Sequence, residues 1–365
     1  MTQTNADVLA EVRGQVGFIT LNRPKAINAL SLGMVRDLLA QLLAWKDDPK
    51  VLAVAIRGSS KDGVFGHFCA GGDIRFLHSA GSTGNPELED FFTEEYALNH
   101  LIFNYPKPYI AFMDGIVMGG GMGISQGASW RIVTEKTKMA MPETIIGLFP
   151  DVGGGYFLSR CPGAVGEWLA LTGDTIGAAE AIAFKLADAY VPAEQQGSIW
   201  DALASQSFAD SAAVQAYVQS QTQTTVPGAV RDTAAIDRVF ALPTVHAIIE
   251  ALESDSSEWA QSTAAALRKR SPLMLFVVLE QIRRARQMGV AEDLRMERDM
   301  VRHCFYLRPG QSETVEGIRA LAVDKDHNPQ WNPARIEEVP EDLWKAFFVS
   351  PWPAHSHPLA ALQDA

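Results

Sequence analysis

The stretch PYIAFMDGIVMGGGMGISQGASWRIVTE, residues 108–135, decides the fold. It opens on PYIAFMDG (108–115), an apolar run with aromatic residues that reads as a buried strand. MGGGMGISQGA (118–128) reads as a glycine turn opening a helix, and WRIVTE (130–135) as a further strand. Strand, glycine turn, helix and strand in direct succession predict an α/β core.

The same order recurs upstream. VLAVAIRG (51–58) reads as a buried strand, and HFCAGGDIRFL (67–77) leads from a strand end through a second glycine turn into a helix beginning near Asp73. Residues 8–13 and 16–21 alternate around Gly14 as a hairpin, and 32–46 carries apolar residues at helical spacing before a longer helix at 87–103. After about residue 160 helical stretches dominate: 164–172, 177–185, 193–205, 209–219, 243–253, 257–270, 273–288 and 291–306. The division expected is an α/β core over 1–205, a helical C-terminal region over 206–350 packed on it, and a loosely ordered, Pro-rich tail over 351–365. The polar run SQTQTTVPGAV (219–229) is the linker candidate.

Bulk properties exclude several function classes. The formal charge of −12 argues against nucleic acid as a partner. No apolar run is long enough to span a bilayer, so no membrane partner is expected. The start, MTQTNADVLAEVRGQ, has neither an apolar signal core nor Arg-rich amphipathic character, which gives a cytoplasmic expectation. Cys69, Cys161 and Cys304 stand at long spacings, suiting a reducing compartment and offering no CxxC pair. The histidines are scattered without an HxxxH, so no metal site is expected. Ser125 and Ser159 lack recognisable His and Asp partners for a triad.

Chemistry enters with MPETIIGLFPDVGGGY (141–156), where Glu143 and Asp151 sit eight residues apart in an apolar segment. Burying an unpaired carboxylate costs several kcal/mol or shifts its pKa. Two readings stand: a turn carboxylate with a helix cap before Gly153, or a working pair. The two glycine turns carry a similar choice. At a strand-to-helix junction the first backbone N–H groups lack intrahelical partners, and glycine lets a ligand approach them. Two such turns can aim one N–H each at a single oxygen, forming an oxyanion hole. Each turn taken alone fits close packing of helix on strand better than it fits a donor role.

Together these segments resemble the crotonase, or enoyl-CoA hydratase/isomerase, superfamily. VGFITLNRPKAINALS (16–31) looks like its first strand and turn, FCAGGDI (68–74) and DGIVMGGGMGIS (114–125) like its two oxyanion-hole segments, and MPETIIGLFPDVGGGYFLSR (141–160) like its catalytic segment. The resemblance to the branch that hydrolyses 3-hydroxyisobutyryl-CoA extends to FFTEEYALN (91–99), LALTGDTIGAAEAIAFKLADAYVP (169–192) and EGIRALAVDKDHNPQW (316–331), nearly the whole chain. It implies a crotonase-like ββα superhelix with a helical C-terminal region. It also implies hydrolysis of a short 3-hydroxyacyl-CoA thioester, suited to valine breakdown, releasing 3-hydroxyisobutyrate and CoA.

The resemblance carries roles residue by residue. Gly72 and Gly120 would donate the oxyanion N–H groups, and Glu143 would act as nucleophile or base. Asp151 would bond the substrate 3-hydroxyl, and Glu95 would lie beside the substrate, with Glu94 an open alternative one position away. Arg23 and Lys25 of the NRPKAIN turn would contact CoA, as would backbone around Cys69, Ala70 and Gly71. A thiol role for Cys69 and a buried filler role both stand. No cofactor is implied, because CoA is part of the substrate; homo-oligomers are common among relatives. Hydratases of the superfamily carry a glutamate where this chain has Gly123 and usually glycine where it has Asp151. The rivals are a hydratase or isomerase of the superfamily, and a non-catalytic acyl-CoA-binding or RNA-binding relative.

Overall fold

A computed structural model describes residues 6–62 and 65–364. Residues 1–5 and 365, part of the expected core and tail, lie outside the described residues. The N-terminal hairpin pairs β1 (Val8–Arg13) with β2 (Val16–Leu21), Val8 opposite Leu21. Helix α1 (Leu32–Lys46) starts at Ser31, whose side chain accepts the Met34 N–H. It buries Met34, Val35, Leu38, Leu42 and Trp45, one helical stripe. Then come β3 (Ala53–Gly58), α2 (Ile74–Thr83), α3 (Glu87–Phe103), β4 (Tyr109–Met113), β5 (Ile116–Met118), α4 (Gly120–Gln126), β6 (Trp130–Val133) and β7 (Lys138–Ala140). After α5 (Gly154–Leu158), α6 (Val165–Thr172) and α7 (Ala178–Ala183), a two-residue strand, β8 (Ala189–Tyr190), returns to the sheet.

The main sheet runs in the order β1-β2-β3-β4-β6-β8, parallel except for the hairpin. A second, parallel pair joins β5 to β7 and is extended by a bridge between Cys69 and Val117. The expected core strands are all present. The sequence reading misses β5, β7 and β8, which at two or three residues are too short to show a period.

Alternation along the strands splits the core into two layers. Val54, Ile56, Tyr109, Ala111, Met113 and Val133 face the large cluster that holds α1 and α3. Val16, Phe18, Ala53, Ala55, Ile110, Phe112 and Ile132 face the other side. There α8 (Gln196–Ser205) and α9 (Ser211–Ser220) cover them with Ile199, Trp200, Leu203, Val214 and Val218. Trp200 meets Phe18, Phe65 and Phe112 edge-on at centroid distances of 4.7, 5.6 and 5.5 Å. The boundary expected at 205/206 therefore falls between two helices on one sheet face, and α9 belongs with the α/β layer.

The remaining α-helices are α10 (Ala234–Phe240), α11 (Val245–Ser254), α12 (Glu258–Leu267), α13 (Pro272–Ala285), α14 (Val290–Phe305), α15 (Glu313–Ile318) and α16 (Glu341–Lys345). Helix α13 packs on α5 and α6, α14 on α3 and α5, and α15 on α2. The tail expected to be loose is docked instead. Leu359 is 3% exposed, the Ala291 N–H donates to Asp364 Oδ1 at 2.9 Å, and Arg295 donates to the Leu362 carbonyl at 2.9 Å. Asp364 thus serves as acceptor for the first turn of α14, a constraint that the Pro-rich composition does not reveal.

Candidate active site

The two glycine turns meet because of the second sheet. Residue 69 is drawn into it: the Cys69 N–H donates to the Ile116 carbonyl and the Met118 N–H to the Cys69 carbonyl. Next along the chain, Leu30 bridges Gly72, with the Leu30 N–H on the Gly71 carbonyl and the Asp73 N–H on the Leu30 carbonyl. In a parallel bridge of this kind Gly72's own N–H points away from Leu30, and among the described residues it has no hydrogen-bond acceptor. The Gly120 N–H opens α4 and has no acceptor within the helix. A methyl group placed on Gly120 would lie 3.4 Å from the Gly72 nitrogen, so the two turns are in contact.

A side chain on Gly119 or Gly120 would displace a carboxylate. Gly119 has φ +50°, and a Cβ on it would stand 2.7 Å from Glu143 Oε1. A Cβ on Gly120 would stand 2.7 Å from Glu95 Oε1. Two carboxylates thus lie directly against the turn that supplies the N–H.

A cavity of about 230 Å³ opens beside them. Its wall includes Ala70, Gly71, Gly72, Gly120, Glu95, Glu143 and Asp151 among the expected site residues. Apolar side chains complete it: Ile74 and Leu77 of α2, Phe91 and Phe92 of α3, Ile145, Ile146, Leu148 and Val152, and Leu321 from the C-terminal region. Arg23, Lys25 and Cys69 are not on this wall. Arg23 bonds Asp73 at 2.8 Å and the Ala29 carbonyl at 3.0 Å. Lys25 is exposed. Cys69 is fully buried, and burial pushes its thiol up to about 12, which leaves it protonated and a filler.

Glu94 and Glu95 point in opposite directions. Glu94 turns outward to a two-pronged pair with Arg36 at 2.7 and 2.8 Å. Glu95 turns inward, is 2% exposed, and its Oε1 has no hydrogen-bond partner among the described residues. Glu143 sits in the 3₁₀ turn Glu143–Ile146, closed by the Leu148 N–H on its carbonyl, and its Oε2 is likewise buried and unpaired. Asp151 differs, because Oδ2 accepts the Tyr96 hydroxyl at 2.9 Å.

Electrostatics follow from this burial. Glu143 and Glu95 are each held well above the usual carboxylate range, first by burial and then by the nearby Asp151. Burial pushes Asp151 up to about 7, with the Tyr96 hydrogen bond opposing. Buried carboxyl groups raised in this way occur at functional sites and in structural networks alike, so the geometry around the cavity has to separate the two.

The backbone immediately after Asp151 is strained. Val152 has φ +58°, and a β-branched residue in that region costs roughly 1–3 kcal/mol. The turn swings Asp151 inward while Val152 packs toward α4. A Cβ on Gly123 would meet the Val152 Cβ at 2.6 Å and Asn99 Nδ2 at 2.9 Å. The position where hydratases carry a second glutamate is therefore filled, not vacant.

Tyr96, Asn99 and Leu321 were not singled out from sequence. Tyr96 carries a local signal, lying one residue after Glu95 on the same helix; Leu321 is far along the chain and carries none. Ser125 and Ser159 bond back to their own helical carbonyls, Gly121 at 2.8 Å and Tyr156 at 2.8 Å. Among the described residues no group of three or more His, Cys, Asp or Glu is placed to hold a metal ion. No helix there is long and apolar enough to cross a membrane.

Comparison with known proteins covers the same ground. The family model described as enoyl-CoA hydratase/isomerase matches residues 16–348. The zebrafish (Danio rerio) protein named 3-hydroxyisobutyryl-CoA hydrolase, mitochondrial, is 40% identical over 355 residues, spanning 96% of this chain and 91% of its own. The Arabidopsis thaliana protein 3-hydroxyisobutyryl-CoA hydrolase 1 is 39% identical, over 94% of this chain and 92% of its own. Among solved structures, a carnitinyl-CoA dehydratase from Mycobacterium thermoresistibile superposes with TM-score 0.86 at 39% identity, covering 96% of this chain and 98% of that one. An enoyl-CoA hydratase from Rhodobacter sphaeroides gives 0.82 at 35%, covering 95% and 98%. With the ββα sheet order, the meeting glycine turns and a family model running from the first parallel strand into the last helices, the chain belongs to the enoyl-CoA hydratase/isomerase family.

Proposed function

We propose that the protein hydrolyses short 3-hydroxyacyl-CoA thioesters, with 3-hydroxyisobutyryl-CoA, an intermediate of valine breakdown, as the substrate. One observation carries the reading. Glu143 faces the cavity with an unpaired buried oxygen beside the two glycine N–H groups, while the place of a second hydratase glutamate is taken by Val152 and Asn99. The names of the curated relatives support the same substrate.

The substrate carbonyl oxygen would lie between the Gly72 and Gly120 N–H groups. Charge building on that oxygen is stabilised there, and one such donor is worth about 3 kcal/mol in rate. Glu143 then attacks the thioester carbon, the C–S bond breaks, and CoA leaves as its thiolate. Water adds to the acyl carbon of the resulting anhydride, which releases the 3-hydroxy acid and restores the Glu143 carboxylate. Asp151 accepts the substrate 3-hydroxyl, and Tyr96 holds Asp151 in place. Ile74, Leu77, Phe91 and Phe92 exclude water from the acyl group. CoA enters only as part of the substrate, so no cofactor is invoked.

Hydratase activity is the alternative that the names of the two solved structures favour. Release of free thiol from 3-hydroxyisobutyryl-, 3-hydroxypropionyl-, isobutyryl- and crotonyl-CoA separates the two. Thiol release greatest with the two 3-hydroxy esters is expected. Hydration of crotonyl-CoA with no thiol released from any ester would overturn the reading.

A further inference from the structure

The segment that carries Asp151 is held by buried side chains more than a hundred residues away. Helix α5 begins just after it, and its first four N–H groups need acceptors. All four find one. The Gly153 N–H donates to Glu297 Oε2 at 2.8 Å and the Gly155 N–H to Glu297 Oε1 at 2.9 Å. The Gly154 N–H donates to the Asp151 carbonyl at 2.8 Å, and the Tyr156 N–H to Asp293 Oδ2 at 2.7 Å. On the other side of Asp151, the Pro150 carbonyl accepts Gln281 Nε2 at 2.7 Å, and the same nitrogen lies 3.2 Å from Glu297 Oε1. Gln281, Asp293 and Glu297 are each completely buried.

The backbone is thus pinned immediately before and after Asp151 and Val152, the two residues whose unusual turn aims the carboxylate into the cavity. The pins come from α13 and α14. Helix α14 also holds the other wall of the site. Arg298 and Arg302 pair with Glu89 on α3, and Arg298 Nε donates to Thr93 at 3.0 Å, so the helix bearing Glu95 and Tyr96 is fixed to the same element.

We propose that Glu297, braced by Gln281, is a positioning residue for Asp151. It reaches neither substrate nor cavity and acts by clamping the Pro150–Gly155 backbone in the turn that presents the carboxylate. The proposal rests on the reading that Asp151 recognises substrate. The two oxygens of Glu297 are both needed as acceptors. A glutamine in its place offers one oxygen and turns an N–H₂ toward a backbone N–H.

A double-mutant cycle tests this, with kcat/KM measured on the 3-hydroxy thioester and on its deoxy analogue. Glu297→Gln is expected to lower kcat/KM for the 3-hydroxy ester at least tenfold and for the deoxy ester much less. In the Asp151→Asn background the same change is expected to cost less than threefold. A purely structural role would lower both substrates and both backgrounds by one factor, following the fraction folded, and that result overturns the proposal. If Asp151→Asn alone leaves kcat/KM unchanged, the recognition reading itself fails, visibly and before Glu297 is touched, and the proposal falls with it. Should Glu297→Gln not fold, Gln281→Met, which removes the donor to Pro150 and to Glu297 while filling similar volume, is put through the same cycle with the same two outcomes.

Discussion

Glu143 keeps one oxygen without a protein partner, whereas Asp151 spends one on the Tyr96 hydroxyl. In the proposed function the first is the attacking group and the second the recognising one, and the two roles are separated by experiment. Glu143→Gln keeps the shape but removes the nucleophile, so kcat for thiol release should fall by far more than tenfold, about 1.4 kcal/mol of barrier, while CoA-ester binding measured by calorimetry persists. Retention of a tenth of wild-type turnover would remove Glu143 from the chemistry. Asp151→Asn should act selectively. A hydrogen bond to an ionised carboxylate is worth about 1.5–3 kcal/mol, so the preference for the 3-hydroxy ester over its deoxy analogue should narrow by roughly ten- to a hundredfold. An equal loss on both esters would point instead to a role in proton transfer. Both carboxylates titrate within one site, and the profile belongs to the pair. Because nucleophile and acceptor must both be ionised, and burial holds both above the usual carboxylate range, kcat/KM should rise with pH and be lost as the pair takes up protons on acidification; a flat profile would show that neither needs to be ionised.

Between elements, the contact of the Val152 turn with α4 separates this chain from a hydratase. Gly123→Glu would drive a side chain into Val152 and Asn99, both backed by packed helices. Overpacking of this sort costs about 1–3 kcal/mol before the buried charge is counted. The variant should show a lowered Tm and no crotonyl-CoA hydration; gain of hydration at unchanged Tm would show that the position is open after all. The same contact shows what sequence can and cannot convey. Glycine turns and a carboxylate in an apolar run are local patterns, so Gly72, Gly120, Glu143 and Asp151 are legible without a structure. What fills the space over Gly123 depends on Asn99 and Val152 arriving from two other segments. The clamp on α5 is further removed still, with Glu297 lying 144 positions from Gly153. Its only trace is two acids, Asp293 and Glu297, on the helix face shared with Val290, Leu294, Val301 and Cys304, where a solvated helix would carry apolar residues. Arg23 shows another limit: a basic residue in a motif turn gives no sign in sequence that it pairs with Asp73 and the Ala29 carbonyl.

Across the whole molecule, Glu95, Glu143, Asp151, Asp293 and Glu297 form a buried acidic array with every member held above its usual range, chiefly by burial. Such an array sets a direction for stability. A carboxyl group whose pKa is raised on folding binds more protons folded than unfolded between its two pKa values, so stability falls as pH rises through that window. For Asp151 the window runs from 3.8 to about 7. The net charge of −12 acts in the same sense through self-repulsion, so the wild-type slope alone does not isolate the site. The comparison with Asp151→Asn does, because global repulsion is nearly common to both proteins. The variant should be more stable than wild type at pH 8, and its advantage should exceed that at pH 5 by roughly 2–3 kcal/mol, a figure belonging to the interacting site rather than to one residue. Denaturant unfolding of the ligand-free protein at the two pH values measures it. An advantage independent of pH would mean that Asp151 is ionised throughout, and that its burden is met by Tyr96 and not by a shared proton. A pH-dependent advantage would show that the fold gives up stability at neutral pH to keep an ionisable carboxylate at the cavity wall, a cost expected where a site is selected for chemistry over stability.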